Sequence, residues 1–95
     1  MKTQTHELKI KPEYFNKVRK GRKNAEVRFD DRGFMIGDQL VLKEWKSRKG
    51  AFTGRELRVR VTDITRLCRL IENVDPDWVV LHTALEATPT PQGQE

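Results

Sequence analysis

The sequence predicts a mainly β domain with one or two helices, an α+β fold whose short strands form a small, partly closed barrel. Several short stretches alternate apolar and polar side chains, which is the period of a half-buried strand. The best helix signal stands early, directly after the first of these stretches. Five short strands with one early helix favour a barrel, because closure removes exposed strand edges. Ninety-five residues are enough for one such domain.

The chain begins with a strand that is followed at once by the helix. Residues 6–10 alternate apolar and charged side chains and predict the strand. Pro12 suits the first helical position, and Glu13 lies near the positive end of the helix dipole. An apolar stripe at helical spacing follows, made of Tyr14, Phe15 and Val18. Gly21 can adopt the left-handed conformation that caps a helix, so the helix is expected to end before it.

Two more strands are expected before residue 46. Residues 23–30 alternate, and the turn residues at 31–33 end that stretch. A second turn at Gly37 and Asp38 precedes an apolar strand at 40–45.

The second half of the chain contains the clearest strand pattern. Residues 46–54 form a long, basic connection to it, and residues 55–64 alternate valine and leucine with arginine. Residues 64–73 are ambiguous and allow a short helix, and an apolar run at 78–83 predicts the last strand.

Composition sets the domain limits and the cellular setting. Residues 86–95 contain Pro, Thr, Gln and Gly with no large apolar side chain, so we expect one domain at 1–85 and a disordered C-terminal tail. No stretch approaches the roughly 20 apolar residues that cross a bilayer, and the N-terminus has no apolar signal region, so no membrane association is expected. Cys68 is the only cysteine, which favours a reducing, cytoplasmic location.

Several kinds of chemistry find no support in the sequence. His6 and His82 lack the cysteines or spaced carboxylates of a metal site. The single serine, Ser47, lies in no nucleophile motif, and no phosphate-binding glycine loop is present, so we expect no cofactor. The 19 lysines and arginines against 14 acids give a net charge of +5, which fits either a polyanionic partner or simple solubility.

A family resemblance rests on residues 21–28. Their sequence, Gly-Arg-Lys-Asn-Ala-Glu-Val-Arg, resembles the G-x-K-x-x-E-x-R signature of the ASCH superfamily, which shares the PUA-like barrel. The signature also follows the predicted helix and opens a strand. An ordered set of further motifs looks like an uncharacterised PUA/ASCH-like bacterial and phage family: His6 to Ile10, Pro12 to Phe15, Asp31-Arg32, Gly37-Asp38, Glu44-Trp45 and Thr53 to Arg55.

The resemblance implies a PUA-like pseudo-barrel with a cleft beside the first helix, in a superfamily whose members bind RNA or modified nucleosides. One branch hydrolyses acetylated cytidine with a lysine, a threonine nucleophile three residues later and a glutamate from elsewhere. Lys23 matches that lysine, but Glu26 stands in the place of the threonine and has no hydroxyl. An amidohydrolase acting on a modified nucleoside, with Lys23 as base and Glu26 in an altered role, is therefore the alternative to a binding module.

Lys23, Glu26 and Arg28 are the central candidates for the site. Glu26 and Arg28 are two residues apart on a predicted strand and therefore share a face. In a cleft, Arg28 can hold a phosphate while Glu26 accepts from a base amino group. On a solvated face, the same residues form a network of salt bridges worth little stability.

Two basic groups are expected to lie beside this cleft. One contains Lys17, Arg19, Lys20 and Arg22, which either contact phosphates or complement the helix dipole. The other consists of Trp45, Lys46, Arg48, Lys49 and Phe52, where aromatic rings can stack on bases or pack at the barrel rim. Arg32 and Arg55 complete the candidates because they fall within the family pattern, although Arg32 also suits a turn.

The sequence thus favours a monomeric, non-enzymatic module that binds RNA or a nucleotide through a basic cleft. An accessory protein that docks on an acidic partner is the third possibility.

Overall fold

Five strands and one helix account for the regular structure in residues 2–86, the part of the chain that the computed structural model describes. In chain order the elements are β1 (Thr5–Ile10), α1 (Pro12–Arg19), β2 (Ala25–Phe29), β3 (Gln39–Lys46), β4 (Ala51–Arg66), a 3₁₀ turn (Leu67–Arg69) and β5 (Trp78–Leu85). The prediction of a mainly β, α+β fold with one early helix is confirmed.

The five strands form one curled sheet in the order β1-β3-β4-β5-β2. β1 and β3 are parallel, and the other neighbours are antiparallel. β4 has 16 residues, and it pairs with β3 through its first part and with β5 through its second. A register shift between Val61 and Asp63 lies on this strand, and such a bulge bends a strand and increases its twist. The result is a half-barrel whose edge strands are β1 and β2.

The core fills the concave side of the sheet beneath α1. It consists of Leu8, Ile10, Phe15, Val18, Phe34, Leu40, Leu42, Val59, Val61, Val79 and Leu81. Phe15 and Val18 come from α1, and their burial fixes the helix against the sheet. The limits of α1 agree with the sequence, since Pro12 stands in its first turn and Gly21 follows it with φ of 75°.

Asp38 is a buried carboxylate that ties the N-terminal strand to the turn before β3. Its oxygens accept hydrogen bonds from the backbone N–H groups of Gln4 and Met35, at 2.8 and 2.9 Å, and it lies 2.8 Å from the His6 ring. Burial opposes ionisation of this carboxyl, but the three hydrogen bonds outweigh it and hold the pKa of Asp38 below its usual value.

One prediction about the second half of the chain is wrong, and another holds only in part. Residues 46–54 are not a long connection, because β3 runs to Lys46 and β4 starts at Ala51, with only a turn between them. Gly50, with φ of 58°, permits that tight turn. The short helix at 64–73 is reduced to the 3₁₀ turn, since β4 continues to Arg66.

The chain ends are described in part. Glu86, assigned above to the tail, accepts hydrogen bonds from Gln39 and Arg60 side chains, and the rest of the predicted tail, 87–95, lies outside the described residues. Within residues 2–86 no helix is long and apolar enough to cross a lipid bilayer.

Candidate nucleic-acid interface

The two edge strands are joined by arginine side chains. Arg28 of β2 donates through Nη2 to the carbonyl oxygen of Lys9 on β1, at 2.6 Å. Arg32, in the segment after β2, donates through Nη1 to the carbonyl oxygen of Glu7, at 3.2 Å. The seam between β1 and β2 is therefore bridged by side chains, and hollows remain beside the bridges.

A groove of about 490 Å³ lies at this seam, next to α1. Its polar lining consists of Lys9, Lys11, Tyr14, Lys23, Glu26 and Arg28, with Ile10 and Val27 as apolar walls. We call this hollow the seam groove. The three residues singled out as central candidates, 23, 26 and 28, are thus brought together in a solvent-reachable hollow that residues 9 and 11 also line.

Glu26 is the buried group of the seam groove, with 7% of its surface exposed. Lys23 Nζ lies 2.5 Å from its Oε1, and Arg28 Nη2 lies 3.0 Å from its Oε2. Lys23 also donates to the carbonyl oxygen of Ala25. A carboxylate offers about four lone-pair positions, so these two cations leave acceptor capacity on Glu26.

In β2 the apolar side chains face solvent and the charged ones face inward, which is the reverse of the usual arrangement. Val27 and Phe29 are 53% and 42% exposed, whereas Glu26 faces inward. Apolar side chains normally occupy the buried face of a strand. The exception is local to the seam, where the inward side chains meet the backbone of β1 and a polar hollow in place of the core.

Tyr14 forms the helix side of the seam groove and is partly exposed. Its ring centroid lies 5.9 Å from Lys23 Nζ and 5.8 Å from Lys17 Nζ. The exposed ring can therefore serve as a stacking surface between two ammonium groups.

The predicted helix-end cluster lies on the surface, and its member Lys17 is close to this tyrosine. Lys17, Arg19, Lys20 and Arg22 are all exposed, and within residues 2–86 none of them forms an ion pair. They lie at the C-terminal end of α1, where cations also complement the helix dipole.

The β3–β4 hairpin carries the second predicted basic group. Lys46, Arg48 and Lys49 line a groove of about 540 Å³ together with Lys11 and the start of α1. Lys11 thus belongs to both grooves. On the hairpin, Trp45 and Phe52 are cross-strand partners with ring centroids 4.8 Å apart. Lys9 Nζ lies 4.0 Å from the Trp45 centroid, so this tryptophan is covered by a cation.

Arg55 has a structural partner. Its Nε and Nη2 donate to the two oxygens of buried Glu44 at 2.9 and 2.8 Å, and Thr53 Oγ1 donates to the same carboxylate at 2.6 Å. The hydrogen bonds from Arg55, together with that from Thr53, lower the pKa of Glu44 from 4.5 to about 2. Arg55 does not line the seam groove.

Arg32 is positioned by the turn that was predicted at 31–33. Asp30 Oδ1 accepts the backbone N–H groups of Gly33 and Phe34 at 2.8 and 3.1 Å, which fixes the turn. Arg32 then reaches β1, as described above, and lies outside the seam groove.

Residues 5–83 match the family described as domain of unknown function (DUF3850). The chain belongs to this family. This DUF3850 domain is also similar to an uncharacterised 12.9 kDa protein in the GpA 3′ region of Escherichia phage P2, at 42% identity over 85 residues. That alignment covers 90% of this chain and 72% of the phage protein.

Sequence reasoning missed the residues that the DUF3850 fold brings from the other edge of the seam. Lys9, Lys11 and Tyr14 line the seam groove but come from β1, the link after it and α1. The polar alternation of β1 was a usable signal for Lys9, but its nearness to Glu26 depends on the curl of the whole sheet.

The two histidines of the DUF3850 domain lie far apart in the sheet and have separate partners. Among residues 2–86 no three His, Cys, Asp or Glu side chains are grouped as a metal site would require. His6 and His82 lie on β1 and β5, which are not neighbours in the sheet. His6 contacts Asp38, and His82 Nε2 lies 3.0 Å from Thr65 Oγ1.

Proposed function

We propose that this DUF3850 domain binds single-stranded RNA by accepting one base into the seam groove. The observation that carries the proposal is the position of Glu26, a nearly buried carboxylate in a groove whose other charged lining residues are all cations. A purely structural ion pair needs no hollow in front of it. Here the hollow is large enough for a nucleobase, at about 490 Å³.

The groups around Glu26 are those that nucleotide recognition uses. A carboxylate accepts hydrogen bonds from base amino groups, such as the cytosine N4 amino group. Nη2 of Arg28 donates hydrogen bonds to the carbonyl oxygen of Lys9 and to Glu26, while its Nε and Nη1 have no partner within residues 2–86. Those donors can hold a phosphate. Tyr14 supplies an aromatic face for the base.

The surrounding charge supports a ligand that is longer than one nucleotide. Lys17 of the helix-end cluster lies near Tyr14, and the hairpin cations share a second groove with Lys11. Tyr14 and Lys11 both line the seam groove. Exposed cations that form no ion pair within residues 2–86 attract a phosphate backbone, and counterions are released when it binds. The net charge of +5 acts in the same direction.

Binding is favoured over amide hydrolysis by the lining of the groove. Among its lining residues the only hydroxyl is the phenol of Tyr14, and there is no serine, threonine or cysteine. Glu26 also occupies the position at which the cytidine-deacetylating branch of the ASCH superfamily has its threonine nucleophile. The relationship to the PUA/ASCH superfamily and the cytoplasmic location inferred from Cys68 stay predictions that accompany this proposal.

The test is a binding titration with RNA, DNA and free nucleosides at two salt concentrations. Log affinity for RNA is expected to fall with log salt by roughly 0.7 for each phosphate contacted. The variant Glu26→Gln keeps the shape of the side chain but places an amide donor opposite the base amino group. We expect it to weaken binding of the preferred base by about 5- to 150-fold, since a good bidentate contact contributes about 1–3 kcal/mol of discrimination.

The matched control is Glu56→Gln, because Glu56 is an exposed carboxylate paired with Arg58 at 3.7 Å and does not line the seam groove. Equal affinities for Glu26→Gln and Glu56→Gln, or a salt dependence that is flat, would contradict the proposal. Incubation with acetylated cytidine tests the alternative: release of cytidine that Lys23→Ala abolishes would replace the binding proposal with hydrolysis.

A further inference from the structure

Beyond the seam groove, the seam continues into a second hollow that the function proposed above does not use. This hollow has a volume of about 320 Å³ and lies on the other side of Arg28. Its lining includes Arg28, Phe29, Arg32 and Trp78. We call it the aromatic hollow.

The aromatic hollow and the seam groove are contiguous. Val27 and Arg28 line both of them. An RNA strand that extends from the seam groove into the aromatic hollow therefore passes directly over these two residues. Arg28 is held there by its bonds to the Lys9 carbonyl and to Glu26, while its Nε and Nη1 have no partner within residues 2–86. A guanidinium fixed between two hollows is well placed for the phosphate that links two nucleotides.

The aromatic side chains of this hollow remain accessible. Phe29 and Trp78 are paired residues on β2 and β5, with ring centroids 5.5 Å apart and an interplanar angle of 77°. They are still 42% and 40% exposed. An edge-to-face pair leaves ring surface free, and free aromatic surface beside arginines is the arrangement on which unpaired bases stack.

Arg32, the second arginine of the hollow, is also held in place by hydrogen bonds and keeps one donor group unused in the described part of the chain. Arg32 Nε donates to Asp31 Oδ1 at 3.0 Å, and Nη1 donates to the Glu7 carbonyl oxygen. Its Nη2 has no partner among the described residues. The negative charge of Asp31 is thus compensated by Arg32, and Arg28 adds two donor groups, Nε and Nη1, that have no partner within residues 2–86.

We propose that the aromatic hollow is a second base-binding subsite, in which the nucleotide next to the one in the seam groove stacks on Trp78 and Phe29. The inference rests on the function proposed above, because Arg28 then bridges two consecutive nucleotides of one RNA strand. The smallest ligand that fills the site is a dinucleotide.

The experiment compares nucleoside 5′-monophosphates with the four RNA homodinucleotides and their DNA counterparts. Affinity is measured by calorimetry for the wild type, for Trp78→Leu and for Leu85→Ala. Leu85 is the matched control because it is an exposed apolar residue at the other end of the same strand, β5. We expect the best RNA dinucleotide to bind at least about tenfold more tightly than its mononucleotide, since one stacked base contributes about 1–3 kcal/mol. Trp78→Leu should lose that gain and keep the mononucleotide affinity, and Leu85→Ala should keep both.

A second measurement needs no variant. The chain has two tryptophans, and the indole N–H signal of Trp78 is identified by NMR through its proximity to the Phe29 ring. This signal should move with a dinucleotide and stay nearly still with a mononucleotide. Three results would overturn the inference: Trp78→Leu keeps the full gain in affinity from mononucleotide to dinucleotide, the Trp78 signal does not move at saturation, or the gain is seen with DNA alone. Mononucleotide binding that depends on Glu26 would still support the proposed function. Absence of any mononucleotide or dinucleotide binding would overturn the proposed function as well.

Discussion

Replacing Glu44 with glutamine is expected to remove stability that exists at neutral pH and disappears in acid. Glu44 is 3% exposed and lies at the end of β3. Its carboxylate accepts two hydrogen bonds from Arg55 and one from Thr53. Glutamine keeps the shape but turns one acceptor into a donor that faces these donors, so at least one bond is lost.

The magnitude follows from the pKa of Glu44, which the bonds from Arg55 lower from 4.5 to about 2. That difference corresponds to roughly 3 kcal/mol of stability if the unfolded chain titrates normally. The side chain of Arg55 is half exposed, and solvent screening reduces the expected cost of Glu44→Gln to about 2 kcal/mol at pH 7. Because the pKa of Glu44 is lower in the folded state, this stability is fully present above about pH 4.5. It is lost as the pH falls towards 2.

The assay is urea unfolding of the wild type, Glu44→Gln and Glu7→Gln at pH 7 and at pH 3. Glu7 is an exposed acid paired with Lys43 at 3.3 Å, so its variant should change the free energy of unfolding by less than about 0.5 kcal/mol at either pH. The deficit of Glu44→Gln should shrink clearly between pH 7 and pH 3. A deficit that is the same at both pH values would show that packing, and not the charge on Glu44, is responsible, and the reasoning would be refuted.

Three further outcomes are expected. Asp38→Ala leaves the backbone donors of the N-terminal strand and turn without an acceptor and should cost about 3 kcal/mol, seen in a thermal scan as a Tm at least about 10 °C lower. Gly37→Ala should cost about 1–2 kcal/mol in urea unfolding, because Gly37 has φ of 95° and an added Cβ would lie 2.9 Å from a side-chain carbon of Thr3. The triple variant of Lys46, Arg48 and Lys49 to glutamine should reduce the slope of log RNA affinity against log salt by about 2, and an unchanged slope in the titrations would remove the hairpin from the interface.

Local patterns were sufficient for most of the elements. The early strand, α1, the strand after it and the last strand were all predicted from alternation, helical spacing and capping residues. The hairpin at 46–54 was missed because its basic composition resembles a solvated loop, whereas its structure depends on the pairing of Trp45 with Phe52 across two strands. The sheet order was also beyond the sequence, since β1 pairs with β3 and β2 pairs with β5, and these strands are distant along the chain.

The sequence predicted the part of the candidate site that lies on β2 but not the part that comes from β1. Alternation showed that Glu26 and Arg28 share a face, but the same alternation makes the face of Val27 and Phe29 look like the buried one. The structure reverses this because the inward side chains of β2 meet the polar hollow at the seam and not the core. The other half of the site comes from β1, and no local pattern relates residues 9 and 26.

The groove and the incomplete closure of the sheet are one feature. If β1 and β2 were joined by backbone hydrogen bonds, their spacing would be about 4.8 Å and no hollow could exist between them. Bridging by Arg28 and Arg32 instead satisfies carbonyl groups of the β1 edge and keeps the edges further apart. It also explains why Glu26 is buried, since a carboxylate there balances the charge of the arginine that spans the seam. An arginine with donors in excess of its two acceptors then leaves the seam with a positive, hydrogen-bonding surface, which is the property that a phosphate recognises.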